Sequence, residues 1–316
     1  MKKFIVCFII LFLIFTVVNA EEKWDGRTGG QILRINPSVR SMATGQGFIS
    51  NINGVQSTSI NPAGIAGIKR RQASFSHVEL FDNFRVEYLG YAQKIHSVYL
   101  SIETKGYFFQ YTQIDSAENE IKDVSSYSLA PSLGLALNLM ENFRVGMSAT
   151  ILYENYGELN SEKLNKTSWA LNGGFQWSIF KDRVKLGASV RNVSNANLSF
   201  YDDSTNTPMP LVGNAGISYL FKDDELKDKF IISADIEVPY EKEMIPSAGF
   251  EYMLKDWLKL RGGYRLNEDY NDFSQNLSFG LGISEKIKNF VGHLDYAYYV
   301  YGELGGTHRF SYKIDW

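Results

Sequence analysis

The sequence predicts an all-β chain: a transmembrane antiparallel β-barrel of about fourteen strands, preceded by an N-terminal hatch or plug segment. Three observations predict it. The chain opens with an export signal; it is rich in aromatic residues and glycine yet lacks an apolar stretch long enough for a membrane helix; and from about residue 72 onward its hydrophobic period is two.

Residues 1–20 read as a signal peptide. Lys2 and Lys3 form a positive n-region, Phe4 to Val18 is an apolar run, and Val18-Asn19-Ala20 is a small-residue cleavage site. The residue after the cut is Glu21, not cysteine, so no lipid-modified N-terminus is expected. Cys7, the only cysteine, lies in the signal, which leaves the mature chain without disulfides or thiolate ligands. Without Lys2 and Lys3 the 32 basic residues become 30, and against 35 acidic ones the mature charge is −5. Such a chain offers no electrostatic footprint for nucleic acid.

Aromatic residues make up 14% of the sequence, with 19 Tyr, 21 Phe and 27 Gly but only 7 Pro, and the mean hydropathy is −0.20. After the signal no apolar run approaches the ~20 residues a membrane helix needs. A chain this polar spans a membrane only when its apolar residues occupy one face of every strand, as a closed barrel arranges them.

Residues 21–71 are rich in Gly, Ser and Asn, alternate weakly and carry turn signals at Asn53-Gly54 and Asn61-Pro62. We read them as a hatch packed in or under the barrel; a flexible periplasmic tail is the alternative. The barrel is assigned to 72–316. Phe143, Val145, Met147, Ala149, Ile151 and Tyr153 alternate with Arg144, Gly146, Ser148, Thr150, Leu152 and Glu154. The same pattern sets Val184, Leu186, Ala188 and Val190 against Lys185, Gly187, Ser189 and Arg191, and Leu258, Leu260, Tyr264 and Leu266 against Lys259, Arg261, Gly263 and Arg265. One face suits lipid and the other is polar or tiny. Strands are expected near 72–79, 84–93, 96–105, 125–138, 142–155, 167–180, 183–192, 211–221, 229–239, 245–254, 257–266, 275–284, 289–300 and 307–316.

Tight turns at Met140-Glu141-Asn142, Phe180-Lys181-Asp182 and Leu254-Lys255-Asp256 alternate with longer polar stretches near 106–124, 156–166, 193–210 and 267–274. That is the asymmetry of short periplasmic turns and long outer loops, and with an even strand number it puts both termini on the periplasmic side. The last strand alternates Phe310, Tyr312, Ile314 and Trp316 with Arg309, Ser311, Lys313 and Asp315, ending on an aromatic that suits an interfacial girdle.

No Gly-x-Ser-x-Gly elbow, P-loop or His-Glu-x-x-His motif occurs. His77, His96, His293 and His308 fall on separate strands, and no catalytic group, metal or cofactor is expected. His293 and Asp295 share an inner face and are read as lumen packing. With Asp235 and Arg261 they form an expected lumen polar network, within a mixed set that includes Arg144, Glu154, Lys185, Arg191, Glu237, Lys259 and Arg265. Interspersed signs argue for internal ion pairs in a filled lumen rather than an ion-selective ring. Pro131 marks either a kink or gap in the wall or the point at or after which the fourth strand begins. Tyr107-Phe108-Phe109-Gln110-Tyr111 offers an apolar capture groove or, as we prefer to read it, an extension of strand three into its outer girdle.

Within the hatch stand Gly29-Gly30-Gln31-Ile32-Leu33-Arg34-Ile35, then Val39-Arg40-Ser41-Met42-Ala43-Thr44-Gly45-Gln46-Gly47-Phe48, then Ser59-Ile60-Asn61-Pro62-Ala63-Gly64-Ile65. In order, these elements resemble the N-terminal signature of the FadL-like outer-membrane proteins, in particular the PorV/PorQ branch and its uncharacterised relatives. Gly305-Gly306-Thr307-His308-Arg309-Phe310-Ser311 resembles the family's ending. Met42, Gln46 and Ile65 depart from its usual residues. The resemblance implies a fourteen-strand barrel with a hatch in the bacterial outer membrane, in contact with its lipid. It implies passage of a hydrophobic small molecule or lipid or, in the PorV branch, a non-transporting scaffold that binds a secretion or envelope protein. Arg40, Gly45, Asn61, Pro62 and Gly64 are the residues it nominates for the hatch or a ligand. Physically, Asn61-Pro62 favours an extended approach and a turn, Gly64 permits positive φ, and Arg40 is placed to pair with Asp235, Glu237 or Asp295.

The mature chain is expected to begin at Glu21 and to fractionate with the outer membrane; intact-mass analysis of that fraction checks both, and a mass retaining residues 1–20 would contradict the reading.

Overall fold

The computed structural model describes residues 28–80, 84–114, 119–159, 162–199, 207–222, 228–266, 276–302 and 305–316. The signal peptide, residues 21–27 and the expected loop 267–274 lie outside them. Fourteen strands follow in chain order: β1 (Arg71–Glu79), β2 (Arg85–Ile95), β3 (Val98–Ile114), β4 (Glu120–Met140), β5 (Phe143–Leu159), β6 (Glu162–Ile179), β7 (Val184–Val193), β8 (Val212–Lys222), β9 (Lys229–Pro239), β10 (Ile245–Leu254), β11 (Leu258–Arg265), β12 (Leu277–Ile287), β13 (Phe290–Val300) and β14 (Gly306–Asp315). Each pairs antiparallel with its sequence neighbours, and β1 pairs with β14 to close the barrel. Arg71 and Trp316 exchange two backbone hydrogen bonds of 3.1 Å across that seam. Closure leaves no strand edge exposed to lipid, the condition for a sheet to span a bilayer.

The turns 96–97, 141–142, 180–183, 255–257 and 288–289 gather at one end, the periplasmic one. His96, Phe180, Lys181, Asp182, Lys255, Asp256 and Lys288 adopt left-handed backbone there, with φ between 46° and 65°. Such turns match the twist of the strands they join. The outer face of the wall is apolar: Leu89, Leu133 and Ile151 are 60%, 64% and 57% exposed. Aromatic rings cluster near the strand ends, as Phe143 with Trp177, Phe290 with Trp316, and Tyr127 with Tyr153.

Two expectations are corrected. Residues 106–124 and 156–166 are not simple loops, because β3 continues to Ile114, β4 begins at Glu120, and β5 and β6 run to Leu159 and from Glu162. Above the membrane both faces of a strand meet water, so the apolar–polar period vanishes while backbone pairing persists. Cross-strand bonds such as Thr112 Oγ1 to Asp123 Oδ1 (2.8 Å) replace it. Pro131 lies in mid-strand, opposite Thr104 of β3. On the β5 side the ladder stops at Leu129–Tyr153 and resumes in unchanged register at Ser132–Thr150. Proline lacks the N–H to continue it, so the wall has a local gap in its bonding without a bulge, and β4 begins well before Pro131.

The chain from Thr28 to Arg70 lies inside the lumen and descends from the outer end to the periplasmic rim. Gly29 N donates to Pro208 O, and Thr28 and Arg34 bond Glu241, all in outer connections. Trp316 and the start of β1 thus share the end of the short turns, the one expected to be periplasmic, and Thr28 stands at the opposite end. The segment folds into short helical turns, Gln31–Arg34, Val39–Met42, Val55–Ser57 and Pro62–Gly67. Its apolar side chains pack with wall residues that are mostly small: Ile32 and Leu33 with Ala130, Leu152 and Ala170; Val55, Ile65 and Ile68 with Ala92, Tyr99 and Ala136; Val39 and Met42 with Ala297. Inward-facing glycines give the backbone room. A Cβ at Gly146 would strike Pro62, one at Gly187 would lie 2.5 Å from Ser50 Cα, and one at Gly263 would strike Thr44 and Gly45.

Gly263→Val is therefore expected to cost about 1–3 kcal/mol by overpacking, read as the urea unfolding midpoint in lipid vesicles. Gly173→Ala, with nothing within 4 Å of the added carbon, is the control. Equal midpoints would show that the segment does not rest on this wall.

Candidate functional site

Glu251 on β10 is the centre of the polar lumen. Its side chain is 1% exposed and receives Arg40 from the N-terminal segment in a two-pronged pair, Nη2 to Oε1 at 2.6 Å and Nε to Oε2 at 2.8 Å. Arg261 on β11 donates Nε to the same Oε2 at 2.6 Å and Nη1 to Asp295 Oδ1 of β13 at 2.6 Å. Arg40 also donates to Asn51 O at 3.0 Å. Arg40 therefore pairs with Glu251 and not with Asp235, Glu237 or Asp295; Asp295 joins the chain through Arg261. Planar guanidinium forks meeting carboxylates in this way are strong and orienting.

Asp235 on β9 does different work. Its two oxygens accept Phe48 N (2.9 Å) and Ile49 N (3.0 Å), binding backbone donors that the turn cannot satisfy itself. Gly45, at φ 72°, donates its N–H to Ser278 Oγ at 2.9 Å. Asn61 caps the turn Pro62–Gly67, Oδ1 accepting Ala63 N at 3.3 Å, with Pro62 in the first helical position. Its Nδ2 donates to Ile49 O and to Phe175 O of β6, both at 3.1 Å. Gly64 is needed for close approach rather than for positive φ, since a Cβ there would lie 2.5 Å from Ile52 O. His293 shares the inner face with Asp295 but bonds Ser284 Oγ (2.7 Å) and Asp315 Oδ2 (2.9 Å) instead. Among the described residues no cluster of His, Cys, Asp or Glu is arranged to hold a metal ion.

The outer half has its own chain. Glu237 lies between Arg191 (3.2 Å) and Arg265 (2.9 Å). Above it a cavity of about 290 Å³ is lined on one side by Ile32, Ile35, Met42, Leu80, Tyr107, Ile245 and Tyr299 and, in equal measure, by polar groups that include Gln31, Arg34, Glu237, Lys242, Arg265 and Arg309. Arg309 is buried and donates Nη2 to Tyr301 Oη at 2.8 Å. From this cavity a row of rings climbs the inner face of the extended β3–β5 wall. Tyr107 stacks on Phe84 at 5.6 Å and meets Phe109 at 5.2 Å; Phe109 meets Tyr111 at 6.3 Å and Tyr156 at 5.8 Å. The run 107–111 thus extends strand three as expected, and of its aromatic residues only Phe108 faces outward.

The sequence reading did not single out Glu251, Arg309, Glu241 or Asp315 as site residues. Glu251 and Arg309 were legible in the period of two, lying between outward Phe250 and Tyr252 and between outward His308 and Phe310.

No family model and no curated protein matches the chain. Solved structures do. The toluene transporter TodX of Pseudomonas putida superposes with a TM-score of 0.58 at 12% identity, over 88% of this chain and 96% of that one. The toluene transporter TbuX of Ralstonia pickettii gives 0.54 at 14%, over 89% and 97%. A mutant TodX described as a monoaromatic hydrocarbon channel gives 0.58 at 12%, over 87% and 96%. The chain has the FadL-like barrel fold. A closed fourteen-strand barrel of this kind, apolar outside, is a bacterial outer-membrane protein.

Glu251→Gln leaves two buried guanidinium groups sharing one neutral amide, and is expected to cost about 3–5 kcal/mol in urea unfolding. A variant as stable as the parent would show that the tie to Arg40 contributes nothing.

Proposed function

We propose that the barrel captures an apolar small molecule at its outer end and passes it inward, with residues 28–70 acting as the hatch. The ladder Tyr111–Phe109–Tyr107 descending into the cavity at Ile32 and Tyr299 carries this reading. Rings spaced at 5–6 Å offer an apolar molecule successive stacking faces, and structural neighbours described as toluene transporters support the ligand class. Below the cavity Ile32 and Leu33 pack against Ala130 and Leu152, the inward residues at the interrupted β4–β5 ladder. Movement of the Gln31–Arg34 turn would connect the cavity to that weakened stretch of wall. Asn61, Pro62, Gly64, Gly45 and Arg40 in this reading hold the hatch rather than touch the ligand.

A second reading, a PorV-like scaffold binding a protein partner, is favoured by one observation. Ile114 and Ile121, at the top of the projecting β3–β4 hairpin, are each 56% exposed.

Binding of the apolar fluorophore N-phenyl-1-naphthylamine to the purified barrel tests the first reading. Phe109→Ala removes ring contacts worth about 0.5–1.5 kcal/mol beyond burial and is expected to weaken binding about tenfold. An unchanged affinity would overturn the reading.

A further inference from the structure

The periplasmic mouth carries a second cavity, of about 500 Å³, in which lysines predominate. Its walls bear Lys69, Arg183, Lys185, Lys229, Lys259 and Lys313, in addition to Arg40, against Asp182, Glu251 and Asp315. The whole chain has a net charge of −3, so this concentration of cations is local. Two of the three carboxylates are already engaged. Glu251 is saturated by Arg40 and Arg261, Asp315 accepts from Gln72 at 2.7 Å and bonds His293, and Lys229 pairs with Asp256 at 2.5 Å. Lys185 Nζ donates to the neutral Asn51 Oδ1 (2.9 Å) and Lys259 Nζ to the neutral Ser284 Oγ (2.8 Å). Among the described residues Lys69, Arg183, Lys185, Lys259 and Lys313 close no ion pair.

Converging like charges in a cleft with low-dielectric walls repel one another and focus a positive field into the space between them. The cations come from separate walls: the approach to β1, the β6–β7 turn, β7, β11 and β14. They surround a volume rather than form one fork. That distribution suits a tetrahedral polyanion reached from several sides better than a single planar carboxylate, which a guanidinium fork would grip from one.

The geometry points to a phosphate-binding site at the periplasmic mouth of the barrel, taking a polyvalent phosphate group free in the periplasm or on a lipid headgroup. It is separate from the outer aromatic path and does not depend on what that path carries.

The test is lysine acetylation footprinting of the parent chain in neutral detergent, with and without inorganic pyrophosphate, read by mass spectrometry. Pyrophosphate is expected to slow acetylation of Lys185, Lys259 and Lys313 several-fold while leaving Lys122, at the outer end of β4, unchanged. Calorimetric affinity for pyrophosphate is expected to fall at least tenfold in the double variant K259Q/K313Q. The same protection by short-chain phosphatidic acid identifies a lipid headgroup as the source; protection by pyrophosphate alone identifies a free anion. Acetylation of Lys185, Lys259 and Lys313 that pyrophosphate does not alter overturns the proposal, whether or not the double variant folds.

Discussion

Glu251 accepts hydrogen bonds from two guanidinium groups, one on the wall and one on the segment that fills the lumen, and this shared carboxylate sets what the rest of the structure can do. A buried charge without partners would be prohibitive in the middle of a membrane protein. Here the charges at the centre of the lumen answer one another: Arg40 pairs with Glu251, Arg261 with Glu251 and Asp295, Arg265 and Arg191 with Glu237. The segment is thereby tied to β10 near its middle. Asp235 and Asn61 extend the tie to β9 and β6 by binding backbone groups that short helical turns leave unpaired.

The small residues of the wall follow from the same constraint. A segment of some forty residues has to touch a fourteen-strand wall on every side, and strands with large inward side chains would hold it off. Glycine, alanine and serine on the inner face let turns such as Thr44–Gly45 and Pro62–Ala63 approach the sheet backbone directly. Toward its two ends the lumen opens into two cavities. The outer one is approached by stacked rings, the periplasmic one is walled by lysines. A molecule crossing this barrel would leave an aromatic environment and meet a cationic one, separated by ion pairs that must part or be bypassed through the wall.

The barrel was legible in the sequence because lipid enforces the period of two. Phe143–Tyr153, Val184–Val190 and Leu258–Leu266 all face as the alternation requires. Where lipid ends, so does the signal, which is why the outer part of β3 and the outer ends of β4 to β6 read as loops. Asp235, Arg261 and Asp295 were visible as inward charges, but their partners were not. Strand parity fixes a face, whereas pairing depends on the height at which the segment crosses each strand, and nothing local in Arg40 specifies β10 over β9. Likewise the period of two cannot tell a proline that ends a strand from one that only interrupts a ladder, as Pro131 does between Leu129 and Ser132.

Whether an apolar molecule occupies the outer aromatic path decides between the transporting and the scaffold reading. Native mass spectrometry of the barrel, gently extracted from its own membrane without added ligand, measures this directly. The account predicts a bound apolar compound of defined mass that leaves on mild collisional activation while the barrel stays folded. A ligand-free barrel carrying a stoichiometric protein partner would contradict it and assign the projecting β3–β6 wall to partner binding instead.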